Sequence, residues 1–583
     1  MTSPTNSSVS ARRISARRIG AALLVCLLLV VAPGAAVAGA AAVARAAAVA
    51  RAAAVAAPDR HGAEVAERIL LEGGNAVDAA IATAFVLAVT FPEAGNLGGG
   101  GFMTVHFDGQ QQFLDFRETA PAGATRDMYL DAAGGAIPDA SLIGALAAGV
   151  PGTVAGLWAA HQRYGTLPWK RLVTPAIRLA REGFAVEPQL AGLLAEQRTE
   201  LAGRTNFDRY FGGLKAGDTL RQPELAATLE RIAGAGPKGF YRGRTARLIV
   251  AEMRRGGGLI TQADLAAYTP VWREPLRFDW RGRQVITAPP PSSGGLALAQ
   301  LLGMKERLAP AFAGQSLNGT RYVHLVAEIS KRVFADRAEY LGDPAFVEVP
   351  VARLMAPDYL DRRAAEVSPE RPSATPTVRP GLAERPQTTH FSILDAQGNA
   401  VALTYTLNGG FGSGVVVTGA GFLLNNEMDD FSVRPGQPNL YGVVGGRANE
   451  IAPGKRMLSS MTPTIVLEDG RVRTIVGTPG GSTIITAVFQ TLVNLRDFGL
   501  PPLTAISASR FHHQLLPPDR IIYSRCCALE AQTVQELRAL GYTVEPSSWE
   551  FGDMQVVTVD DDGRIEAASD PRGRGMSRVF PEP

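Results

Sequence analysis

The sequence predicts an α+β protein whose secondary-structure elements are stacked in layers. Apolar residues recur at helical spacing through most of residues 140–350, in segments such as 154–164 and 322–338 that Gly and Pro corners separate. After residue 388 the spacing changes to period two, which is typical of strands. Two β-rich blocks combined with many helices fit a layered α+β sandwich.

The first 38 residues have the three parts of a secretory signal peptide. A basic segment at 12–18 is followed by an apolar run at 19–32 and by small residues at 36–38. The alternative is a membrane anchor, but the run is shorter than the roughly 20 residues that span a bilayer. We therefore expect an exported protein, periplasmic or secreted, with no stable membrane span.

The next segment, residues 39–58, repeats the alanine-rich unit AAAVAR and ends at a proline. Its composition favours a helix, and it has no second apolar face to bury. We expect a tether or an extension of the leader, with signal cleavage at one of several small-residue sites between about residues 38 and 58.

The charge balance argues against a nucleic-acid partner, and the motif order and residue spacing give no sign of a nucleotide or metal cofactor. The formal charge is +3, but residues 1–58 hold six arginines and no acidic residue, so the rest of the chain is close to neutral. Four glycines at 98–101 precede a predicted strand at 102–107, whereas a phosphate-binding loop follows a strand and opens a helix. No spacing of His, Cys and carboxylates suggests a metal site.

Cys526 and Cys527 are the cysteines that lie beyond the leader, and they are adjacent. Neighbouring α-carbons are about 3.8 Å apart, below the usual disulfide range of about 4.4–6.8 Å. The pair is therefore no ordinary staple, and we expect it to be buried in an apolar environment.

A predicted β-hairpin at residues 387–406 is the element around which the chain is organised. Apolar residues recur there at period two, and the Gln-Gly-Asn corner at 397–399 has turn chemistry. The preceding residues 368–386 are rich in Pro and Arg, which is typical of an exposed segment. A second hairpin is predicted at 464–477, and it leads to a helix at about 482–494. The last predicted strands lie at 554–559 and 564–568.

Six motifs carry the strongest functional signal. They are GGNAVDAA (73–80), GNLGGGGFM (95–103), TTHFS (388–392), NNEMDDFS (425–432), MLSSM (457–461) and TPGGS (478–482). Any one of them is a weak signal, but chance agreement of all six in this order is negligible. From about Asp59 to its end, the chain resembles the γ-glutamyltransferase (γ-glutamyltranspeptidase) family of N-terminal-nucleophile hydrolases.

The resemblance implies a four-layer αββα sandwich that is made as a self-cleaving precursor. Cleavage before Thr388 would yield a large subunit, residues 59–387, and a small catalytic subunit, residues 388–583, which form a heterodimer. Thr388 would then carry nucleophile and base, because its hydroxyl attacks while its free α-amine accepts the proton. Such an amine has a pKa of about 7.7–8.0, whereas the amide nitrogen of the precursor has no basicity.

The resemblance assigns three further residues to catalysis. Thr406, on the returning strand, would hydrogen-bond the nucleophile; on spacing alone it is equally a surface strand residue. Gly480 and Gly481 lie between a predicted strand and a predicted helix. Unpaired amides there, at the positive end of the helix dipole, could stabilise an oxyanion; the alternative is a plain turn.

A γ-glutamyl group presents an α-carboxylate and an α-ammonium, which need opposite partners. An arginine fork and hydroxyls suit the carboxylate, while carboxylates and an amide oxygen suit the ammonium. The positions that match the family's carboxylate-binding residues are Arg117, Ser459 and Ser460. The positions that match its ammonium-binding residues are Asp430, Glu427 and Asn408. The resemblance also places Tyr441 on a lid loop, residues 435–449. Without the family resemblance, Arg117 would be interpreted as a surface ion-pair partner and Asp430 as part of a solvated turn.

These matches predict a γ-glutamyltransferase and glutathione hydrolase. Its substrates would be small molecules: glutathione and other γ-glutamyl compounds as donors, and water, amino acids or dipeptides as acceptors. The first rival is a glutaryl or cephalosporin acylase, which would not need an ammonium pocket. The second rival is a poly-γ-glutamate-processing relative, and the third is a non-catalytic periplasmic binding protein.

Overall fold

The structure is a computed structural model that describes residues 52–373, 388–434, 436, 439 and 445–581. The predicted signal peptide, Gln387 and Tyr441 lie outside the described residues. Within the described part of the chain, no helix combines the length and the apolar character that crossing a membrane requires.

The described α-helices lie mostly before residue 370, as the apolar spacing predicts. They span Arg60–Leu71, Ala76–Thr90, Thr153–Tyr164, Trp169–Glu182, Pro188–Leu201, Phe207–Phe211, Pro223–Ala235, Lys238–Tyr241, Gly243–Gly256, Gln262–Ala267, Gly294–Arg307, Ala309–Phe312, Thr320–Tyr340, Val351–Leu354, Pro357–Ala365, Thr483–Arg496, Pro502–Ser507 and Ala531–Ala539.

The strands form a seven-stranded sheet, a six-stranded sheet and two small sheets among the described residues. They are β1 (Ala52–Ala57), β2 (Gly100–Phe107), β3 (Gln110–Asp115), β4 (Phe184–Ala185), β5 (Thr219–Leu220), β6 (Val271–Arg273), β7 (Leu276–Trp280), β8 (Arg283–Thr287), β9 (Thr389–Leu394), β10 (Ala400–Thr406), β11 (Thr464–Glu468), β12 (Arg471–Gly477), β13 (Phe511–His512), β14 (Arg520–Tyr523), β15 (Thr543–Pro546), β16 (Gln555–Val559), β17 (Ile565–Ser569) and β18 (Met576–Pro581).

The hairpin predicted at 387–406 is confirmed as β9 and β10, at the centre of the seven-stranded sheet β18-β1-β9-β10-β2-β3-β6. Its turn is held by Asp395, whose side chain accepts hydrogen bonds from the amides of Gln397 at 3.0 Å and Asn399 at 2.8 Å. Gly398 has a φ of +85°, which suits glycine because it has no Cβ. The register places Thr389 opposite Tyr405, so the first residue of β9 and the last residues of β10 lie side by side at the open end of the hairpin.

Strand β1 corrects the interpretation of the alanine-rich segment as a tether or an extension of the leader for residues 52–57, which the structure describes. All six of its residues pair with β18, residues 54–56 also pair with β9 on the other side, and residues 53–57 are fully buried. Both faces of the strand are covered, so it needs no alternation of polar and apolar residues. Its alanines are small enough for close packing on either face. The predicted helical preference was therefore overridden by tertiary contacts, as happens readily with a weak propensity.

The second large sheet has the strand order β17-β16-β12-β11-β8-β7. The hairpin predicted at 464–477 is confirmed as β11 and β12, and the two last predicted strands are confirmed as β16 and β17. Strand β12 leads through Gly480 and Gly481 into the helix Thr483–Arg496.

Three hydrophobic clusters show which surfaces of the sheets are buried. Ala54 and Ala402 of the first sheet share one cluster with Ile286 and Ile475 of the second. Alternate residues of the first sheet, such as Val401, pack instead with the helix Ala76–Thr90. Alternate residues of the second sheet pack with the helices Gly294–Arg307, Thr320–Tyr340 and Thr483–Arg496. The chain is thus a mixed α+β protein with two large sheets and helices against both, as predicted.

The expectation that Cys526 and Cys527 are buried is wrong. Cys526 is exposed and Cys527 is half-buried. Both lie in the turn between β14 and the helix Ala531–Ala539, and connecting turns run over the surface because their backbone groups need partners.

Buried histidines predict that the fold loses stability in acid. Burial lowers the pKa of His390 and of His512 to about 3, and that of His513 to about 4. Below the ordinary histidine pKa of about 6.5 the unfolded chain binds protons that the folded chain refuses, so the free energy of unfolding falls by about 1.4 kcal/mol per pH unit and per histidine. We expect the loss between about pH 6.5 and the folded values of about 3 to 4.

The test compares thermal unfolding midpoints of the wild type and His390→Gln at pH 7 and pH 5. Glutamine can still hydrogen-bond Thr404 and Ser392, the present partners of the His390 ring. The variant should lose less stability on acidification than the wild type. Identical pH dependence would show that His390 does not resist protonation in the folded state.

Candidate active site

Thr388 lies directly before β9, at the open end of the β9–β10 hairpin. Its Oγ1 is 3.3 Å from Oγ1 of Thr406, the last residue of β10. Thr406 Oγ1 also accepts a hydrogen bond from the Asn408 amide at 2.8 Å. Both threonines are deeply buried, with relative exposures of 4% and 3%. The contact between the predicted nucleophile and its predicted partner is therefore present, and the hairpin register produces it.

Gly480 and Gly481 follow β12 of the second sheet, and each lines a pocket together with Thr388. Their φ angles are +139° and +55°, in the region that favours glycine. A Cβ on Gly480 would lie only 2.4 Å from Oγ1 of Thr483. Within the described residues, neither amide donates a hydrogen bond to another group. These two N–H groups stand at the N-terminal end of the helix Thr483–Arg496, where the helix dipole attracts negative charge.

Thr388 lines a small pocket, which we call the donor pocket because it holds residues predicted to bind the γ-glutamyl donor. It has a volume of about 20 Å³ and is lined by Arg117, Arg337, Thr388, Thr406, Asn408, Glu427, Asp430, Ser459, Ser460, Met461, Gly481 and Ile484. Every predicted substrate-binding residue lines it except Tyr441, which lies outside the described residues. The fold thus gathers at one place residues that are more than 300 positions apart in the chain.

Arg117 lines the donor pocket and is paired with carboxylates. It follows β3, and its side chain is 1% exposed. Its Nη1 lies 2.7 Å from Oε2 of Glu427, and its Nη2 lies 2.5 Å from Oδ2 of Asp430. Burial by itself lowers the pKa of Arg117, but Glu427, Asp430 and Glu118 outweigh that effect and raise it above its ordinary value. The reading of Arg117 as a surface ion-pair partner is wrong, because the residue is buried.

The carboxylates around Arg117 resist ionisation. Burial raises the pKa of Glu427 and of Asp430, and it raises the pKa of Glu118 to about 8. Glu427 and Asp430 belong to one 3₁₀ turn, Glu427–Asp430, which brings both side chains to the same guanidinium. The cluster therefore has an excess of carboxylates over its one arginine, so it would favour an additional cation.

Arg337 is a pocket residue that the sequence analysis missed. It lies in the helix Thr320–Tyr340, donates from Nε to Ser293 Oγ at 3.0 Å, and donates from Nη2 to Ser460 Oγ at 3.2 Å. Among the described residues, no carboxylate is within ion-pairing distance of it. Burial lowers its pKa to about 10, although Asp430 acts in the opposite direction.

No local signal distinguishes Arg337 from other arginines of its helix. Arg332, in the preceding turn, is equally buried but pairs with Glu328 at 3.0 Å. Arg337 faces the MLSSM segment instead, and that neighbour comes from a distant part of the chain.

Thr388 also lines a second cavity, which we call the acceptor cavity because the predicted reaction needs space for a second substrate. Its volume is about 310 Å³, much larger than that of the donor pocket. Thr388 and Gly480 line it together with Trp549, Glu550 and Arg572. Thr388 is thus the residue that both spaces share.

A sequence model of the family described as gamma-glutamyltranspeptidase matches residues 62–580. The chain belongs to the γ-glutamyltranspeptidase family. The resemblance that the six motifs indicate is thereby confirmed, and it extends over nearly all of the described residues.

Relatives of this γ-glutamyltranspeptidase family member include well-matched bacterial proteins. A glutathione hydrolase proenzyme of Pseudomonas aeruginosa is 60% identical over 524 residues, which are 90% of this chain and 94% of that protein. A structure of γ-glutamyltranspeptidase from Pseudomonas nitroreducens complexed with L-DON is 58% identical and covers 55% of this chain and 96% of its own, with a TM-score of 0.55. The cephalosporin acylase from Bacillus halodurans is 27% identical and covers 91% of this chain and 96% of its own, with a TM-score of 0.79.

Proposed function

We propose that this chain is a self-processing γ-glutamyltransferase and glutathione hydrolase. Thr388 would form a γ-glutamyl ester and pass the acyl group to water, an amino acid or a dipeptide. The observation that supports this most directly is that Thr388 lines both a donor pocket with charges of both signs and a larger acceptor cavity. The relative from Pseudomonas aeruginosa carries the name glutathione hydrolase proenzyme, which is consistent with the proposal.

We assign the fold to the four-layer αββα sandwich of the N-terminal-nucleophile hydrolases. Cleavage before Thr388 would leave two interleaved subunits, a large one that includes β1 and ends at residue 387, and a small one of residues 388–583. Strand β10 of the small subunit pairs with β2 of the large one, so breaking one peptide bond need not separate them. Because β1 pairs with β9, we also expect signal cleavage before residue 52, at the early end of the alanine-rich segment.

The chemistry follows from the residues around Thr388. After cleavage its hydroxyl attacks the γ-carbonyl of the donor while its α-amine takes the proton. The amides of Gly480 and Gly481 would stabilise the resulting oxyanion. The C–N bond then breaks, the amine leaving group departs protonated, and an ester to Thr388 remains. Water or an amine attacks this ester and restores the threonine.

The charges of the donor pocket suit both ends of the glutamyl group. Its ammonium would lie against Asp430 and Glu427, with the amide oxygen of Asn408. Its carboxylate would lie against Ser459 and Ser460. Arg117 is expected there from the family pattern, and Arg337 adds a second guanidinium that has no carboxylate partner among the described residues. A buried arginine without a counter-ion is costly, and a bound carboxylate would supply that counter-ion.

Hydrolysis of matched anilides separates this function from that of an acylase. γ-Glutamyl and glutaryl anilides differ only in the α-ammonium. We expect turnover of the first to exceed that of the second by about 5- to 150-fold, because loss of a partner from a buried polar group costs about 1–3 kcal/mol. Asp430→Asn should reduce this preference while leaving self-cleavage intact. Equal turnover of both anilides by the wild type would favour the acylase function instead.

Export and the lid complete the proposal. We expect the signal peptide at residues 1–38 to direct the enzyme to the periplasm or the medium. We also expect Tyr441, on the loop 435–449, to close over the bound γ-glutamyl group. Production of the enzyme with a tagged C-terminus, followed by cell fractionation, would test export; recovery only in the cytoplasm would contradict it.

A further inference from the structure

The adjacent cysteines are linked to the wall of the acceptor cavity through Glu550. The Cys526 amide donates a hydrogen bond to Oε2 of Glu550 at 3.0 Å. Ser524, two residues earlier, donates its hydroxyl hydrogen to Oε1 of the same carboxylate. That oxygen also lies 3.3 Å from Nε of Arg572. Glu550 and Arg572 line the acceptor cavity together with Thr388 and Gly480.

The two thiols are accessible and close together. The Sγ atoms lie 2.7 Å apart, and the Cys526 side chain is exposed to solvent. Burial raises the pKa of the Cys527 thiol, so the exposed Cys526 is the better entry point for a reagent. Neither cysteine lines the donor pocket or the acceptor cavity, so the described site leaves them without a role.

We propose that Cys526 and Cys527 form a dithiol site that exchanges with low-molecular-weight disulfides and thereby modulates the acceptor cavity. The thiolate of Cys526 attacks one sulfur of the disulfide and releases one thiol, which leaves a mixed disulfide. The thiolate of Cys527 then attacks the Cys526 sulfur and releases the second thiol. The protein dithiol is oxidised to a ring that spans one peptide bond, and the small disulfide is reduced to two thiols.

The geometry favours a reversible site over a permanent staple. The α-carbons of neighbouring residues are about 3.8 Å apart, below the usual range of about 4.4–6.8 Å, and such strain makes a disulfide easier to reduce. Exposed and strained disulfides are the labile ones. The effect on the cavity rests on the proposed function, whereas the exchange itself does not.

Ring closure would reach the cavity through the Cys526 backbone. Joining two adjacent side chains changes the dihedral angles of the peptide unit between them, and the Cys526 amide that holds Glu550 belongs to this turn. A displaced Glu550 would no longer be shared between the turn and Arg572. Since both side chains line the cavity, the oxidation state should alter binding of the acceptor more than binding of the γ-glutamyl group.

The first test measures exchange on the protein itself. The processed wild-type enzyme is equilibrated with mixtures of hydroxyethyl disulfide and mercaptoethanol, which contain no γ-glutamyl group, and its free thiols and intact mass are determined. We expect loss of both thiols and of two hydrogens, without a lasting adduct. Cys527→Ser should instead keep one mercaptoethanol on Cys526. Two free thiols in the wild type under the most oxidising mixture would overturn the proposal.

The second test measures whether oxidation of the two cysteines changes binding of the acceptor. The KM for glycylglycine as acceptor is determined for the oxidised and reduced wild type, with Cys526→Ser/Cys527→Ser as the matched control. We expect a change of at least about fivefold in the wild type, the lower end for coupled sites, and none in the control. An unchanged KM in a fully oxidised protein would overturn the link to the cavity. Hydrolysis of a γ-glutamyl anilide in the same samples reports separately on the proposed function.

Discussion

Thr388→Ala is expected to remain a single uncleaved chain and to hydrolyse no γ-glutamyl anilide. The substitution removes the hydroxyl that would attack the preceding carbonyl, and without cleavage the Thr388 nitrogen stays an amide with no basicity. Nucleophile and base are therefore lost together, and a fall in turnover on the order of a million-fold is typical for removal of a nucleophile. Denaturing gels, N-terminal sequencing of any small fragment and anilide hydrolysis measure the result.

Thr388→Ser is the matched control, because it keeps the hydroxyl and removes only a methyl group. It should still yield a small subunit that begins at residue 388, and it should retain measurable turnover. The fold should survive both changes, since the described contact of the side-chain hydroxyl is the one with Thr406 at 3.3 Å. Cleavage of Thr388→Ala at the same bond would show that another group performs the processing.

Arg337→Gln is expected to weaken recognition of the donor's α-carboxylate. Hydrogen bonds to charged groups contribute about 1.5–3 kcal/mol, so kcat/KM for a γ-glutamyl anilide should fall by about 10- to 100-fold. A 4-aminobutyryl anilide lacks the α-carboxylate, and its much slower hydrolysis should hardly change. The measurement is kcat/KM for both anilides with the wild type and the variant.

Arg332→Gln controls for loss of a buried arginine from the same helix. Arg332 pairs with Glu328 and does not line the donor pocket, so its removal should lower stability but affect both anilides equally. Equal losses on both anilides in Arg337→Gln would mean that Arg337 only supports the structure around Ser460.

Arg117→Lys keeps the positive charge but loses the two-pronged geometry of the guanidinium, and it should weaken transition-state binding by roughly 1–3 kcal/mol.

Elements whose stabilising contacts join residues close in the chain can be predicted from the sequence. The hairpin β9–β10 is predictable because alternating apolar residues flank a turn whose Asp395, Gly398 and Asn399 satisfy their own backbone groups. The turn from β12 to the helix Thr483–Arg496 is predictable for a similar reason, since paired glycines mark a backbone that other residues rarely adopt.

The sequence by itself determined the family, the position of the hairpin and most of the donor pocket, because each of these rests on a contiguous motif. Only the tertiary structure decided the rest. Strand β1 exists because the second sheet covers one face of a short alanine-rich segment and helices cover the other. Arg337 and Arg332 look alike in the sequence, and their partners from other parts of the chain separate them. Arg117 likewise forms its ion pairs with carboxylates more than 300 residues away, which pattern and spacing do not place.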